Sequence, residues 1–384
     1  MLRRCKGLTS IALPDSLDII GETAFYGCSG LTSIALPDSL GRIGDAAFYG
    51  CSGLTSIVIP IPHGMSYIGN RIFERCSSLT SVTIPDGVTE IAGAMFRNCT
   101  SLTSVTISDS VNNIVNSAFE NCTSLTSITI PDSVTHIGSF AFKGCSNLAS
   151  ITLPEGEISI AGGEFSAFEG CDKLIQTVNG VRYVGDLAIG CDASVKQIVL
   201  RNNTKRIAGG AFENRTALTS VTLPDSVNYI AYSAFENCTS LTTITIPDSV
   251  TYIGSMAFKG CGALKSITVP GSVTYIGYSV FRDCSSLESV LFYAGVTSIE
   301  VSTFSNYVSL KNVGIPFSVN SIGEAAFYGC SSLETIIIPK TVTQIEQFAF
   351  ENCDSLTIYC LAESQPDGWD RYWNISDCPV VWGA

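Results

Sequence analysis

The stretch CTSLTSITIPDSVTHIGSFAFKG, Cys122 to Gly144, returns lightly edited from one end of the 384-residue chain to the other. Within it Ile128 and Ile130 alternate with Ser127 and Thr129, the period of two that marks a half-buried strand. Pro131 stops that strand, and Asp132-Ser133 supplies turn chemistry before a second, shorter apolar pair, Val134 and Ile137. Gly138 and the Ala141-Phe142 pair predict a turn of 3-10 or short α-helix that buries the phenyl ring. Leu125, Ile128, Ile130, Val134, Ile137 and Phe142 then point inward. One such rung is too small to offset the conformational entropy of ordering its own backbone, so rungs must stack and cover one another.

A cysteine column gives the register. It runs through Cys5, Cys28, Cys51, Cys76, Cys99, Cys122, Cys145, Cys171 and Cys191, then Arg215 in the cysteine slot, Cys238, Cys261, Cys284, Tyr307 in the slot, Cys330 and Cys353. Eleven of the fifteen intervals are 23 residues, and the exceptions cluster around Ile59 to Gly64 and between Gly156 and Arg215. A divergent stretch, about 155–205, nearly loses the consensus, and Thr177 to Val184 reads as a hairpin with an Asn179-Gly180 turn. The pattern resumes at once with Val195, Ile198, Ile207 and Phe212, so residues 1–353 are read as one repeat array. Residues 354–384 hold Trp369, Trp373 and Trp382 and are read as a C-terminal cap over the open end of the stack.

Composition narrows the function. A net charge of -13 leaves no basic stripe to neutralise phosphates and argues against nucleic acid. No apolar run approaches the ~20 residues that would span a bilayer, so no membrane insertion is expected. Met1 to Cys5 align with the tail of a rung, so the sequence begins inside a repeat, and a secretion signal is expected upstream.

The form CxxLTSIxIPDSVxxIGxxAFxx resembles the BspA-like class of leucine-rich repeat found in surface proteins of bacteria and some protists. CLAESQPDGWDRYWN followed by PVVWG is similar to the ends of such arrays. The resemblance implies an α/β solenoid: a right-handed leucine-rich-repeat superhelix with a concave parallel β-sheet, short second strands and 3-10 or short helical turns on the convex side. It also implies an extracellular or cell-surface location. The partners it implies are a host or bacterial surface protein, an extracellular matrix protein or a glycan. It carries no shared binding residues to this chain.

Most polar columns have plain structural readings. The column cysteines are expected as reduced, buried thiols, and thiols in a line cannot converge tetrahedrally on zinc. Cys360 and Cys378 lie outside the column and could pair. The two histidines, His63 in an insertion and His136 in an outward column, offer no triad. No phosphate loop, zinc-protease helix or EF-hand is present, so neither enzyme activity nor cofactor is expected. One carboxylate per turn, from Asp15 through Asp248, supplies too few oxygens for a calcium ladder. The Asn-Cys-Thr triplets at Asn98, Asn121 and Asn237 match the glycosylation acceptor pattern as a by-product of the repeat.

Binding candidates therefore lie in the outward columns. Most of the strand face is a neutral Ser and Thr carpet, for which strand propensity is a sufficient reason. Near the C-terminal end Leu291, Tyr293, Asn312, Gly314, Phe317 and Ile337 replace it, and exposed apolar clusters mark partner sites. On the second strand Tyr229, Tyr252 and Tyr275 recur in successive rungs, either as a ladder within the chain or as contact surface. The expectation is a non-catalytic, monomeric recognition or adhesion module. A passive structural spacer or scaffold within a longer surface protein is the alternative.

Overall fold

The computed structural model describes residues 2–60, 67–154, 156 and 158–384. The chain is a parallel β-solenoid of about fifteen turns, with two strands per ordinary rung. It falls into two compact units, Met1–Gln176 and Thr177–Ala384, and the division lies inside the divergent stretch.

In the first unit the second strands Glu90–Ile91, Asn113–Ile114, His136–Ile137 and Ser159–Ile160 form one parallel sheet, each residue opposite its counterpart one rung away. Ser127–Thr129 pairs in the same fashion with Ser150–Thr152, and Ser81–Ile84 with Ser104–Ile107. This register puts like side chains on like. Phe25, Phe48, Phe73, Phe96, Phe119, Phe142 and Phe168 stack face to face with ring centroids 5.1–5.7 Å apart. All seven rings are buried.

The residues around the ladder phenylalanines are mostly turns rather than helix, so the expectation of 3-10 or short helical turns is met only in part. Ser117, Phe119 and Asn121 donate their N–H groups to the Ser139, Ala141 and Lys143 carbonyls of the next rung, at 2.9, 2.7 and 2.7 Å. The intervening Ala118, Glu120 and Cys122 donate three residues back, at 3.2, 3.0 and 3.1 Å. Alternate amides thus serve the stack, and Ser117 and Asn121 take the left-handed conformation at φ 59° and 60°, which no right-handed helix accommodates. Among the described residues the one helical element is a 3-10 turn at Gly163–Phe165.

The thiol column completes these turns. Cys122 Sγ donates to the Phe96 carbonyl of the preceding rung at 3.2 Å, and the same bond recurs from Cys51 to Phe25 and from Cys353 to Phe327. Turn serines work alike: Ser133 Oγ donates to the Val111 carbonyl and Ser249 Oγ to the Val227 carbonyl, both at 2.6 Å. Cys191 departs from the column, because it ends a buried strand, Leu187–Cys191, with Arg215 in the slot one interval on.

The second unit opens on that divergence. Asn179 and Gly180 both have positive φ, 51° and 78°, as a two-residue Asn-Gly turn requires. Val181–Val184 then pairs antiparallel with Leu187–Cys191, which returns the chain to the parallel stack by pairing with Arg206–Ile207. The phenylalanine ladder runs again from Phe212 to Phe350, and Trp373 meets its last ring edge-on at 5.9 Å. Six strands, Ser266–Val269, Ser289–Phe292, Asn312–Gly314, Thr335–Ile338, Thr357–Cys360 and Val380–Trp382, form one parallel sheet. Trp369 Nε1 donates to the Val342 carbonyl at 3.2 Å, tying residues beyond Cys353 to the last rungs.

Candidate recognition surface

Side chains alternate along each strand, so in the six-stranded sheet one set fills the core and the other faces water. Val290, Phe292, Val313, Ile336 and Ile338 are buried, while Leu291 and Ile337 stand 47% and 55% exposed. The register aligns Thr268 with Leu291, Leu291 with Gly314, Ile337 with Tyr359, and Tyr359 with Val381. An outward row therefore crosses the sheet as Leu291, Gly314, Ile337, Tyr359 and Val381, with Tyr359 half-buried and the others exposed. Tyr293 and Phe317, 54% and 65% exposed, flank it where the chain leaves its strands. The structure thus gathers Leu291, Tyr293, Asn312 and Ile337 on one face. Tyr359 and Val381, absent from the sequence reading, join them because the sheet continues past Cys353, where the repeat pattern no longer reports facing.

Gly314 is a gap in this row. A Cβ built there meets nothing within 4 Å, and the residue sits in an ordinary strand. Asn312, also exposed, offers its amide on the same strand.

The border of the face changes with it. From Thr32 to Thr103 each column threonine donates its hydroxyl to the carbonyl of the threonine one rung back, at 3.0–3.3 Å. The corresponding positions beside the C-terminal strands are Lys265, Glu288, Lys311 and Glu334, all exposed and alternating in sign. Lys311 Nζ lies 4.0 Å from Glu288 Oε2.

The tyrosines form a graded ladder. Tyr229 and Tyr252 stack with centroids 4.5 Å apart, and Tyr252 and Tyr275 at 4.6 Å. Tyr229 is only 7% exposed, since its register neighbour on the other side is the buried Arg206, and this removes it from the contact candidates. Tyr252 is half-buried, and Tyr275 is 43% exposed, with only Ser298 at the same place one rung on. Tyr67 stands apart, its hydroxyl donating to Asp45 Oδ1 at 2.7 Å and Arg42 lying over its ring.

Cys360 and Cys378 are separate free thiols, with Cys378 Sγ 3.5 Å from the Cys353 carbonyl. Burial pushes both up to about 11. His136 is half-buried, which lowers its pKa, and His63 lies outside the described residues. Among the described residues no three His, Cys, Asp or Glu side chains are grouped as a metal site, and no helix is long and apolar enough to cross a membrane. A separate depression of about 480 Å³ opens on the first unit between Ser104–Ile107 and Ser127–Thr129. Those neighbouring strands belong to different sheets, and Val105 and Ile107 are half-exposed at the seam.

Residues 1–125, 66–189, 112–241, 189–307 and 297–365 match a family described as BspA type leucine rich repeat region. No curated protein matches the chain. Among solved structures, a leucine-rich repeat protein from Bacteroides ovatus is similar at 28% identity over 98% of this chain and 85% of that one, with a TM-score of 0.42. A leucine rich cell surface protein from Faecalibacterium prausnitzii is similar at 29% identity over 95% of this chain and 81% of that one, with a TM-score of 0.35. A leucine-rich repeat protein from Eubacterium ventriosum follows at 24% identity, covering 82% and 83%, with a TM-score of 0.47.

Proposed function

This chain belongs to the BspA-type leucine-rich repeat family, and from that premise we propose that it is a non-catalytic recognition or adhesion module, displayed at a cell surface or secreted. The observation that carries the reading is the change of the strand face near the C-terminal end. A hydroxyl carpet gives way to Leu291 and Ile337 on the sheet, with Tyr293 and Phe317 beside it, all exposed. Holding these side chains in water gains nothing for the fold. Burying them against a partner does, at roughly 25 cal/mol per Å² of apolar surface removed from water.

The test compares the protein with a Leu291→Ser/Ile337→Ser variant on an array of extracellular-matrix proteins and glycans. Saturable binding lost in the variant is expected. Binding kept unchanged moves recognition to Tyr252 and Tyr275, and no binding by either protein overturns the foreign-ligand reading in favour of a spacer. The Ser and Thr face of the strands from Ser81–Ile84 to Ser150–Thr152 is what favours that second reading for those rungs.

A further inference from the structure

We propose that the C-terminal patch pairs with the same patch on a second copy of this chain, sheet against sheet, about a two-fold axis that runs parallel to the strands. The inference rests on the reading of this patch as a recognition surface, names its partner, and revises the expectation of a monomer.

The patch is complementary to itself. Let the axis lie midway between two facing sheets and pass between Ser289–Phe292 and Asn312–Gly314. Such an axis reverses the order of the rungs and keeps each position along the strand. The border Lys265, Glu288, Lys311, Glu334 then meets its own reverse: Lys265 faces the second copy's Glu334, and Glu288 faces its Lys311. Four opposite-charge pairs form and no like pair does. A column of alternating charge centred on that axis is complementary to itself, whereas a foreign partner would have to match it by separate design.

The apolar row obeys the same operation. Leu291 faces Gly314 of the second copy, and Gly314 faces its Leu291, because the two residues are register partners on the strands that flank the axis. Leu291 and Ile337 stand two strands apart, at ~4.8 Å per strand, which leaves a slot one side chain wide over Gly314. The knob and the hole therefore exchange twice across one axis. Ile337 faces Thr268, and Ser289 faces Asn312, which pairs methyls with methyls and a hydroxyl with an amide. None of the outward residues on the four central strands is charged.

Size sets the strength. The eight rungs from Ser220–Thr222 to Val380–Trp382 present roughly 500 Å² per copy at ~4.8 Å per strand and ~3.3 Å per residue. The total of about 1,000 Å² is at the lower limit of specific interfaces, so the pairing is a weak contact that multiplies when many copies are displayed together.

Sedimentation of the whole chain from micromolar to several hundred micromolar, at low salt, tests this. The wild type is expected to pass from monomer to dimer over that range. Lys311→Glu and Glu288→Lys each place like charges across the axis, and each is expected to remain monomeric. Mixed in equal amounts they present only opposite charges to each other, so the mixture is expected to dimerise. Because Lys311 and Glu288 are also neighbours within one chain, this mixed rescue separates pairing between copies from any effect within one. Gly314→Val fills the hole where a Cβ has open space, so it is expected to fold like the wild type and to weaken the dimer by about tenfold or more. A wild type that stays monomeric, single variants that dimerise normally, or a mixture that does not recover would overturn the proposal. If the wild type is monomeric yet loses array binding on Leu291→Ser/Ile337→Ser, self-pairing fails while the recognition reading stands. Dimerisation with no array binding supports self-pairing and removes the foreign ligand.

Discussion

At the scale of the residue, the cysteine column shows how a side chain is chosen by a slot. Each turn leaves the phenylalanine carbonyl with one lone pair spare after it accepts the cysteine N–H of its own rung. The thiol of the next rung donates to that pair, at 3.1 Å from Cys99 to Phe73 and 3.2 Å from Cys122 to Phe96, and it is small enough to be fully buried while doing so. The burial could be read from the sequence, because a column of cysteines at solenoid spacing can neither cross-link nor chelate. The acceptor could not, since it lies 26 residues earlier and belongs to the neighbouring rung. Burial also raises the thiols of Cys51, Cys99 and Cys238 from their usual 9.0 up to about 12. Two outcomes follow. Iodoacetamide at pH 8 should label Cys5, which is half-exposed, and spare the buried column until denaturant is added, when intact mass should show sixteen adducts. The raised folded-state values mean that the unfolded chain loses thiol protons first as pH climbs. Through these three thiols, stability should therefore be full below pH 9 and fall between about 9 and 12, by about 1.4 kcal/mol per pH unit for each of them, as read by urea midpoints across that range.

At the scale of the element, periodicity located the strands because alternation of Ile with Ser or Thr reports directly which side of a sheet is dry. It reports the turns only in part, because Ile137, Ala141 and Phe142 have a spacing that a short helix would also produce. The signal against a helix is the residue before the cysteine slot, mostly Asn or Gly: Asn98, Asn121, Gly144, Asn214, Asn237 and Gly260 among them, all with positive φ. Glycine and asparagine tolerate that conformation best, so their recurrence records a left-handed position in every rung. Gly144, at φ 70°, also packs against Asn121 Oδ1, so Gly144→Ala should cost about 1–2 kcal/mol in urea unfolding. Gly314→Ala, in open strand geometry, should be neutral or slightly stabilising by the same measurement. The candidate site divides likewise. Leu291 and Ile337 were legible because the repeat continues through their strands and fixes their facing. Tyr229 was not, because its burial depends on Arg206, a residue of the divergent stretch where the period gives no neighbour.

At the scale of the whole molecule, the repeat makes stability a sum over rungs and their contacts, while recognition depends on a few particular rungs. Removing residues 239–261 joins Cys238 to Gly262 with the cysteine slot, the strand and the turn all still in phase. The deletion takes out Thr243–Ile244 and Tyr252–Ile253, and it brings Tyr229 and Tyr275, formerly each stacked on Tyr252, into adjacent rungs. The shortened chain should keep a β-type circular dichroism spectrum, and its thermal midpoint should fall by a few degrees for the loss of one rung and one contact between rungs. Leu291, Gly314, Ile337 and the charges from Lys265 to Glu334 all lie beyond the excised segment, so array binding and self-association should be unchanged within about twofold. Deletion of residues 285–307, which removes Glu288, Leu291 and Tyr293 while joining Cys284 to Val308, shortens the stack by the same amount. It should abolish both activities. Equal loss from the two deletions would place function in the length of the stack and support the spacer. Loss confined to the second would place it in the patch, because the two deletions differ only in which side chains the remaining rungs display.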